Sequence, residues 1–235
     1  MTKPGIYFEP AIKKKKKALK MLVAIPSPRD IQSFNDAVKN CLYDYDKLWV
    51  KHISEEQKPY TIIRNYFLEH NYYSHLAILP DDVIIHRHGI EKLVSNVMSD
   101  RSKYKVMMGI FNCDIGSPFV GCCMNLPSLS RMGREHNFLW RVQVEGKGIL
   151  QVAWAGTPFA ILDGRLLRDG IVSLKNDAEA TGKPNMSGCC QDVVLANELA
   201  QHKIPLYIDS EALFLHLKGS PEAELLPVEK WLVDH

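Results

Sequence analysis

Short apolar runs alternate with helix-patterned stretches in the first part of this chain, and that alternation sets the strongest limit on its fold. Residues 21–25 are continuously apolar and are closed by Pro26-Ser27-Pro28, which is typical of a strand buried on both faces of a parallel sheet. Residues 31–42 place apolar side chains at three- and four-residue intervals, which predicts a helix. A strand, a helix and a strand are then predicted at residues 46–53, 62–70 and 76–79. This order predicts a doubly wound α/β sheet.

The second part of the chain predicts further elements and one irregular addition. Residues 138–145 alternate between apolar and polar side chains, and Gly146-Lys147-Gly148 then supplies a turn before residues 149–154. We therefore expect a β-hairpin added to a mixed central sheet. Two helices are predicted at residues 89–100 and 192–202, and strand-like segments at 105–111, 206–208 and 214–217. The polar, glycine-containing residues 175–188 are predicted to form a mobile loop.

Charge and composition exclude several classes of protein. The 235 residues include 29 Lys and Arg against 27 Asp and Glu, a formal charge of +2, so the chain is neither a strongly basic nucleic-acid coat nor an acidic solvating protein. No apolar run approaches the ~20 residues of a membrane span, and the N-terminus lacks the pattern of a secretory signal. Six cysteines include two adjacent pairs and no CxxC spacing, which favours reduced thiols over a disulfide framework or a zinc knuckle. These features predict a cytoplasmic protein.

Five consecutive lysines, Lys13 to Lys17, precede the first predicted strand. Their mutual repulsion predicts a basic, solvated leader over residues 1–20, followed by one domain over 21–217 and a tail over 218–235. The same run is compatible with peripheral contact to an anionic membrane surface. A single basic run without interleaved aromatic residues does not predict a nucleic-acid partner.

The sharpest chemical feature is the sequence Pro80-Asp81-Asp82-Val83, which directly follows a predicted buried strand. Open α/β sheets bind ligands at the carboxyl ends of their strands. Carboxylate oxygens suit Mg²⁺ or Mn²⁺, which keep coordination positions open for the phosphate oxygens of a nucleotide. The alternative is a strand-terminating turn, for which proline and aspartate are common residues.

Four segments follow one another in an order known from one enzyme family. They are MLVAIPSPRD from residue 21, RNYFLEHNYYSHLAILPDDVII from residue 64, AWAGTPFAIL from residue 153 and QDVVLANELAQHKIPLYIDSEALFLHL from residue 191. They resemble, in turn, a first strand with its nucleotide-base loop, a segment ending in a metal-binding acidic motif, a segment beside the acceptor site, and a catalytic helix followed by a strand and a histidine. The chain thus resembles the GT-A glycosyltransferases, in particular the inverting, nucleotide-sugar-dependent family 2 type.

Two positions depart from that family pattern. Pro80 stands where the family has the first acidic residue of its metal-binding motif, and Gln191 stands where it has the first of two catalytic acids. The first departure bears on ribose contacts and metal affinity. The second leaves Asp192, the residue to which the resemblance assigns the base.

The resemblance implies a set of residues for the donor and its metal. Asp82 and His216 are implied to bind Mn²⁺ or Mg²⁺, with Asp81 supporting the ribose or the water shell of the metal. The base and ribose pocket is implied to include Pro26, Ser27 and Arg29, with Arg64 reaching the diphosphate. The alternatives are a core histidine at position 216 and a surface helix arginine at position 64.

On the acceptor side, the resemblance implies that Asp192 is the general base and that Trp154 and Gly156 line the acceptor wall. A helix N-terminus stabilises the charged, proton-accepting form of a carboxylate. The alternatives are a helix-capping aspartate and a core tryptophan. The acceptor itself, whether glycan, lipid or protein, and the nucleotide of the donor, UDP or GDP, stay open.

Two other functions compete with a glycosyltransferase. A nucleotidyltransferase on a similar scaffold usually carries a glycine-rich loop after the first strand, and Pro26-Ser27-Pro28-Arg29 has no glycine. A degenerate GT-A domain that serves as a binding module is favoured by Pro80 and Gln191. The absence of a P-loop, a GxGxxG and a GxSxG motif argues against a phosphate-loop NTPase, a nicotinamide enzyme and a serine hydrolase.

Overall fold

The computed structural model describes residues 5–12, 19–27, 31–53, 57–112, 118–127, 138–175, 180 and 191–217. Its strands are β1 (Gly5–Glu9), β2 (Met21–Ser27), β3 (Asp46–Lys51), β4 (His75–Ile78), β5 (Val83–Ile84), β6 (Val106–Phe111), β7 (Phe119–Cys123), β8 (Phe138–Trp140), β9 (Ile149–Val152), β10 (Trp154–Ala155), β11 (Ala160–Asp163) and β12 (Leu206–His216). Its helices are α1 (Gln32–Cys41), α2 (Gln57–Glu69), α3 (Arg87–Ser99), α4 (Arg141–Val144), α5 (Gly164–Arg168) and α6 (Gln191–Gln201).

The main sheet is mixed and contains nine strands, eight of them in the order β1-β3-β2-β4-β11-β6-β12-β5, with β9 also paired to β12. Strands β2, β3, β4, β6 and β12 run parallel to one another, and β1, β11, β5 and β9 run against them. A smaller sheet has the order β10-β7-β8. The α/β class and the mixed central sheet predicted from the sequence are therefore confirmed.

The connections place helices on both faces of the main sheet. Phe34 and Val38 of α1 pack with Leu93 of α3 over one face, while Phe67 of α2 and Leu195 of α6 pack over the other. The connection from β2 through α1 leads to β3, and the connection from β3 through α2 leads to β4 on the other side of β2. The strand order therefore reverses beside β2, and such a reversal opens a crevice at the carboxyl ends of the strands.

The predicted β-hairpin is wrong. Phe138–Trp140 pairs with β7, whereas Ile149–Val152 pairs with β12 in the other sheet. Between them Arg141–Val144 forms a helical turn, in which the side-chain oxygen of Gln143 accepts a hydrogen bond from the backbone N–H of Trp140 at 2.7 Å. An alternating segment forms a strand when its apolar face packs against other residues. The apolar face of this segment is not covered in that way, since Val142 is 78% exposed.

The folded part of the chain begins earlier than the charge pattern predicts. Residues 5–9 of the predicted leader form β1, which pairs antiparallel with β3. Glu9 then bonds to two side chains of β3: it accepts a hydrogen bond from Trp49 Nε1 at 3.1 Å and lies 3.1 Å from the ammonium of the buried Lys47. A buried ammonium needs a partner of opposite charge, so Glu9 gives β1 a structural role.

Several predictions fall outside the described residues. These are the roles of Lys13 to Lys17 and Arg29, nearly all of the loop predicted at residues 175–188, and the tail at 218–235. Among the described residues, no helix has the length and apolar character needed to cross a membrane.

Candidate functional site

The carboxyl ends of four parallel strands meet at one edge of the main sheet. Ser27 ends β2, Asp81 and Asp82 follow β4, Phe111 ends β6, and His216 ends β12. Neighbouring strands that run in the same direction end at the same edge, so residues far apart in sequence come together here. We call this group of strand ends the carboxyl-edge site.

Asp81 and Asp82 have different surroundings within this site. Asp81 is 2% exposed and accepts a hydrogen bond from the Ser27 hydroxyl at 3.3 Å. Asp82 is more accessible, and its Oδ2 lies 3.5 Å from Nε2 of His216. Pairing of β5 with β12 sets that distance, because Val83 lies opposite His216 and the carbonyl of Asp82 accepts a hydrogen bond from the N–H of Leu217. Asp82 and His216, which the resemblance implies as metal ligands, therefore lie side by side in the structure.

The ring of Phe111 packs against His216, with the two ring centroids 4.7 Å apart. Two glycines make room for that ring. A Cβ atom built on Gly121 would lie 2.4 Å from the Phe111 ring, and one built on Gly156 would lie 2.6 Å from it. Real carbon atoms do not approach this closely without displacement, so both positions need glycine for Phe111 to stand against His216.

Asp192 occupies the first turn of α6. Its Oδ1 accepts a hydrogen bond from the N–H of Val193 at 2.8 Å. Its Oδ2 lies 3.8 Å from the position that a Cβ of Gly156 would take. Gly156 therefore lies near both Phe111 and the carboxylate of Asp192. Asp192 is the predicted base, and Gly156 is predicted to line the acceptor wall beside it.

Tyr60 of α2 interacts with groups of the carboxyl-edge site and of the first turn of α6. Burial raises the pKa of its phenol, and the negative charges of Asp82, Asp192 and Asp81 raise that pKa further. A hydrogen bond with the Gln191 side chain acts in the opposite direction and lowers it. The phenol therefore stays protonated near neutral pH, and the charges of all three carboxylates act on it.

Cys123 is a buried thiol of β7 that shows no activation as a nucleophile. Burial, followed by the charge of Asp192, raises the pKa of Cys123 to about 11, although a hydrogen bond with the backbone of Asn125 lowers it in part. A thiol acts as a nucleophile through its thiolate. The raised pKa therefore leaves little thiolate at neutral pH and disfavours Cys123 as a nucleophile.

The remaining predicted site residues that the structure describes are Pro26, Arg64 and Trp154, and their surroundings differ. Pro26 is buried in β2 next to Ser27. Arg64 lies one helical turn after Tyr60 on α2, and its buried Nε has no hydrogen-bond partner among the described residues. Trp154 is 5% exposed and packs with Phe138 and Val193, so in this structure it supports α6 from behind and does not present a ring face at the surface.

The spacing of the Asp82 and His216 donor atoms is compatible with two ligands of one divalent cation. Two ligands at right angles on an ion, each about 2.1 Å away, lie about 3 Å apart, and the Asp82–His216 distance of 3.5 Å is close to that separation. Within the described residues, no group of three His, Cys, Asp or Glu side chains could hold a metal ion. Mg²⁺ is commonly bound by one or two carboxylates together with substrate phosphates. The imidazole of His216 suits Mn²⁺ better than Mg²⁺.

Sequence reasoning missed Tyr60 and Phe111. Phe111 is the last residue of a predicted strand, so the rule that ligands bind at carboxyl ends would have selected it if β6 had been known to run parallel to β4. Tyr60 precedes Arg64 by four residues, which places both side chains on the same face of a helix. That spacing could have indicated that Tyr60 lies near a predicted donor-binding residue.

Comparison with known proteins identifies a fold and no family. No protein-family model and no curated protein matches the chain. Among solved structures, the crystal structure of A197 from STIV is similar, with a TM-score of 0.52 and 15% sequence identity over 89% of this chain and 99% of that one. At this identity the likeness supports the α/β fold, and a fold by itself does not carry a function.

Proposed function

We propose that this protein is a metal-dependent glycosyltransferase with a GT-A type of sheet. It moves a sugar from a nucleoside-diphosphate-sugar donor, such as a UDP- or GDP-sugar, to an acceptor hydroxyl with inversion at the anomeric carbon. The observation that carries this proposal is that an Asp–His pair, Asp82 and His216, meets a carboxylate in the first turn of a helix, Asp192, around Phe111 and Gly156.

The donor lies along the ends of β2 and β4. Pro26 and Ser27 contact the base and ribose, and the carboxylate of Asp81, oriented by Ser27, supports the ribose. The guanidinium of Arg64 reaches the diphosphate. Asp82 and His216 hold the Mn²⁺ or Mg²⁺ that, when bound, neutralises the charge of the diphosphate.

Transfer needs one proton acceptor and one leaving group. Asp192 takes the proton of the acceptor hydroxyl while the hydroxyl oxygen forms a bond to the anomeric carbon. The bond between that carbon and the diphosphate oxygen breaks on the opposite face, and its electron pair leaves with the nucleoside diphosphate. The acceptor, a hydroxyl of a glycan, lipid or protein, lies beside Asp192 and Gly156.

The test is a panel of nucleotide sugars with Mn²⁺ or Mg²⁺, scored by release of nucleoside diphosphate. We expect slow hydrolysis of at least one donor, abolished by a chelator and strongly reduced in Asp192→Asn. Asp36→Asn, which changes an exposed aspartate of α1, is the matched control and should hydrolyse the donor at the wild-type rate.

A second candidate function is a degenerate domain that binds a nucleotide sugar without transferring it. The replacement of the first catalytic acid by Gln191, whose side chain is engaged by Tyr60, favours it. Metal-dependent binding of a donor without release of nucleoside diphosphate would decide for this binding module, and absence of both binding and release would reject both functions.

A further inference from the structure

A second cavity, of about 450 Å³, lies at the opposite edge of the main sheet. It is found where β4 begins and the antiparallel strand β11 ends, so the length of the strands separates it from the carboxyl-edge site. We call it the basal cavity. Its lining residues include Tyr72, His75, Arg101, Asp163, Arg165 and Arg168. Pockets of this size hold small ligands in other proteins.

The basal cavity has an excess of positive charge. Among the described residues that line it, three are arginines and one, Asp163, carries a carboxylate. The Nε of Arg165 donates to both oxygens of Asp163, at 3.1 and 3.0 Å, while most of the Arg165 side chain stays exposed. Arg168 donates to the backbone carbonyl of Tyr73 at 2.5 Å. These bonds hold two guanidiniums in place while N–H groups remain for an anion, since each guanidinium carries five.

His75 adds a hydrogen-bond acceptor to the basal cavity. The Ser74 hydroxyl donates its single proton to the carbonyl of Lys20, at 3.1 Å. Nδ1 of His75 lies 2.9 Å from the same Ser74 oxygen and, with the Ser74 proton directed at Lys20, is assigned as the donor of that pair. Nε2 then carries a lone pair, and it is buried with no hydrogen-bond partner among the described residues. A buried acceptor of this kind calls for a donor such as a hydroxyl.

Tyr72 supplies an aromatic surface at the same cavity. It is 51% exposed, and its ring lies 4.2 Å from that of Tyr73, measured between centroids. A half-exposed ring offers apolar area for the carbon face of a ligand ring while its hydroxyl stays wet.

We propose that the basal cavity binds a phosphorylated sugar. The phosphate monoester carries close to two negative charges and pairs with the guanidiniums of Arg101 and Arg165, a sugar hydroxyl donates to Nε2 of His75, and the ring of the sugar packs on Tyr72. Inorganic phosphate lacks the sugar ring and a neutral sugar lacks the negative charge, so each would make only part of these contacts. This site is independent of the proposed glycosyltransferase activity.

Calorimetric titration of the whole protein with glucose 6-phosphate, glucose and inorganic phosphate tests the proposal. We expect glucose 6-phosphate to bind more tightly than either other probe. Arg101→Gln and Arg165→Gln should each weaken it about tenfold or more, because a charge-assisted hydrogen bond is lost. Arg141→Gln, which changes an arginine that pairs with Glu145 elsewhere on the chain, is the matched control and should bind like the wild type.

Substitutions at His75 and Asp82 test the hydroxyl contact and the location of the bound sugar phosphate. His75→Gln keeps an acceptor oxygen and should retain more affinity than His75→Leu, and melting curves of both variants report whether they fold. Asp82→Asn should leave glucose 6-phosphate binding unchanged, because Asp82 belongs to the other edge of the sheet. The proposal is overturned if glucose 6-phosphate does not bind, if both arginine variants bind it like the wild type, or if Asp82→Asn abolishes binding.

Discussion

Asp81 and Asp82 are neighbours in sequence, yet the structure gives them different chemistry. The buried Asp81 is held by Ser27, whereas Asp82 faces the imidazole of His216. A carboxylate that keeps open access can bind a cation together with a substrate, while the orientation of the enclosed one is set by the Ser27 hydroxyl. At the scale of single residues, the assignment of roles therefore depends on what each side chain contacts.

Substitution of the two implicated aspartates should separate catalysis from binding. Asp192→Asn removes a proton acceptor and should lower the transfer rate by about 10²–10⁴-fold while donor affinity stays near the wild-type value. Asp82→Asn removes a charged cation ligand and should first weaken metal-dependent donor binding, by about tenfold or more. Turnover and donor titration of both variants test this pair of expectations. Wild-type turnover in Asp192→Asn would show that the aspartate only caps α6, since asparagine caps about as well.

The contact between Gly121 and Phe111 makes a second prediction at this scale. A methyl group at Gly121 would collide with the Phe111 ring, so Gly121→Ala should destabilise the protein by about 1–3 kcal/mol and move the ring away from His216. Phe111→Leu in the same chain removes the colliding ring atoms and should restore part of the lost stability. Urea unfolding of the single and double variants measures the coupling, and additive effects would contradict it.

At the scale of elements, α3 shows how one side chain can join two parts of the fold. The sequence pattern His86-Arg87-His88 by itself indicates only polarity at a strand end. In the structure His86 is the N-cap of α3: its Nδ1 accepts a hydrogen bond from the N–H of Gly89 at 3.0 Å, and its Nε2 donates to the carbonyl of Leu213 at 2.7 Å. Arg87 pairs with Asp44 and Glu91. The imidazole therefore connects the start of α3 to β12, which carries His216.

Removal of that connection should cost more than an ordinary cap. His86→Ala leaves the N–H of Gly89 without its cap and the carbonyl of Leu213 without its donor, for a combined loss of about 2 kcal/mol. The neighbouring His88→Ala, at an exposed position, is the matched control and should change the free energy of unfolding by less than about 0.5 kcal/mol. Equal unfolding midpoints for the two variants in urea would refute the capping role.

At the scale of the whole molecule, buried histidines tie stability to pH. Burial lowers the pKa of His75 to about 4; the nearby Asp163 opposes this shift, and the charges of Arg101 and Arg165 add to it. Burial also lowers the pKa of His86. Below about pH 6.5 the unfolded chain binds protons that the folded chain does not, so stability rises with pH in that range and falls as the solution is acidified.

The size of this effect is measurable for His75. We expect a loss of up to about 3 kcal/mol between pH 7 and pH 4 from this residue, in addition to the titration of carboxylates. In His75→Gln the decline between pH 7 and pH 5 should be shallower than in the wild type, whatever the variant's stability at pH 7. His202→Gln, at an exposed position, should keep the wild-type slope. Identical slopes for all three proteins in urea unfolding would rule out His75 as a source of the pH dependence.

The amino-acid sequence by itself determined the α/β class, most strand and helix positions, and the acidic pair at the end of β4. These depend on local patterns: apolar runs, helical spacing, and turn residues within a few positions of one another. The same reasoning failed at residues 138–154, because whether an alternating segment becomes a strand depends on the neighbour it meets, and Phe138–Trp140 and Ile149–Val152 meet strands of different sheets.

Only the tertiary structure shows that Tyr60 and Phe111 belong with the residues of the carboxyl-edge site. Tyr60 and Gln191 are far apart in sequence, as are Phe111 and Gly156, and no local pattern couples them. Their proximity follows from the strand order, in which β11 lies between β4 and β6, and β12 lies beside β6 in parallel. Strand order is set by the burial of both faces of the sheet under helices, which is a property of the whole chain. Local periodicity therefore predicts where a strand ends, and sheet topology decides which strand ends meet.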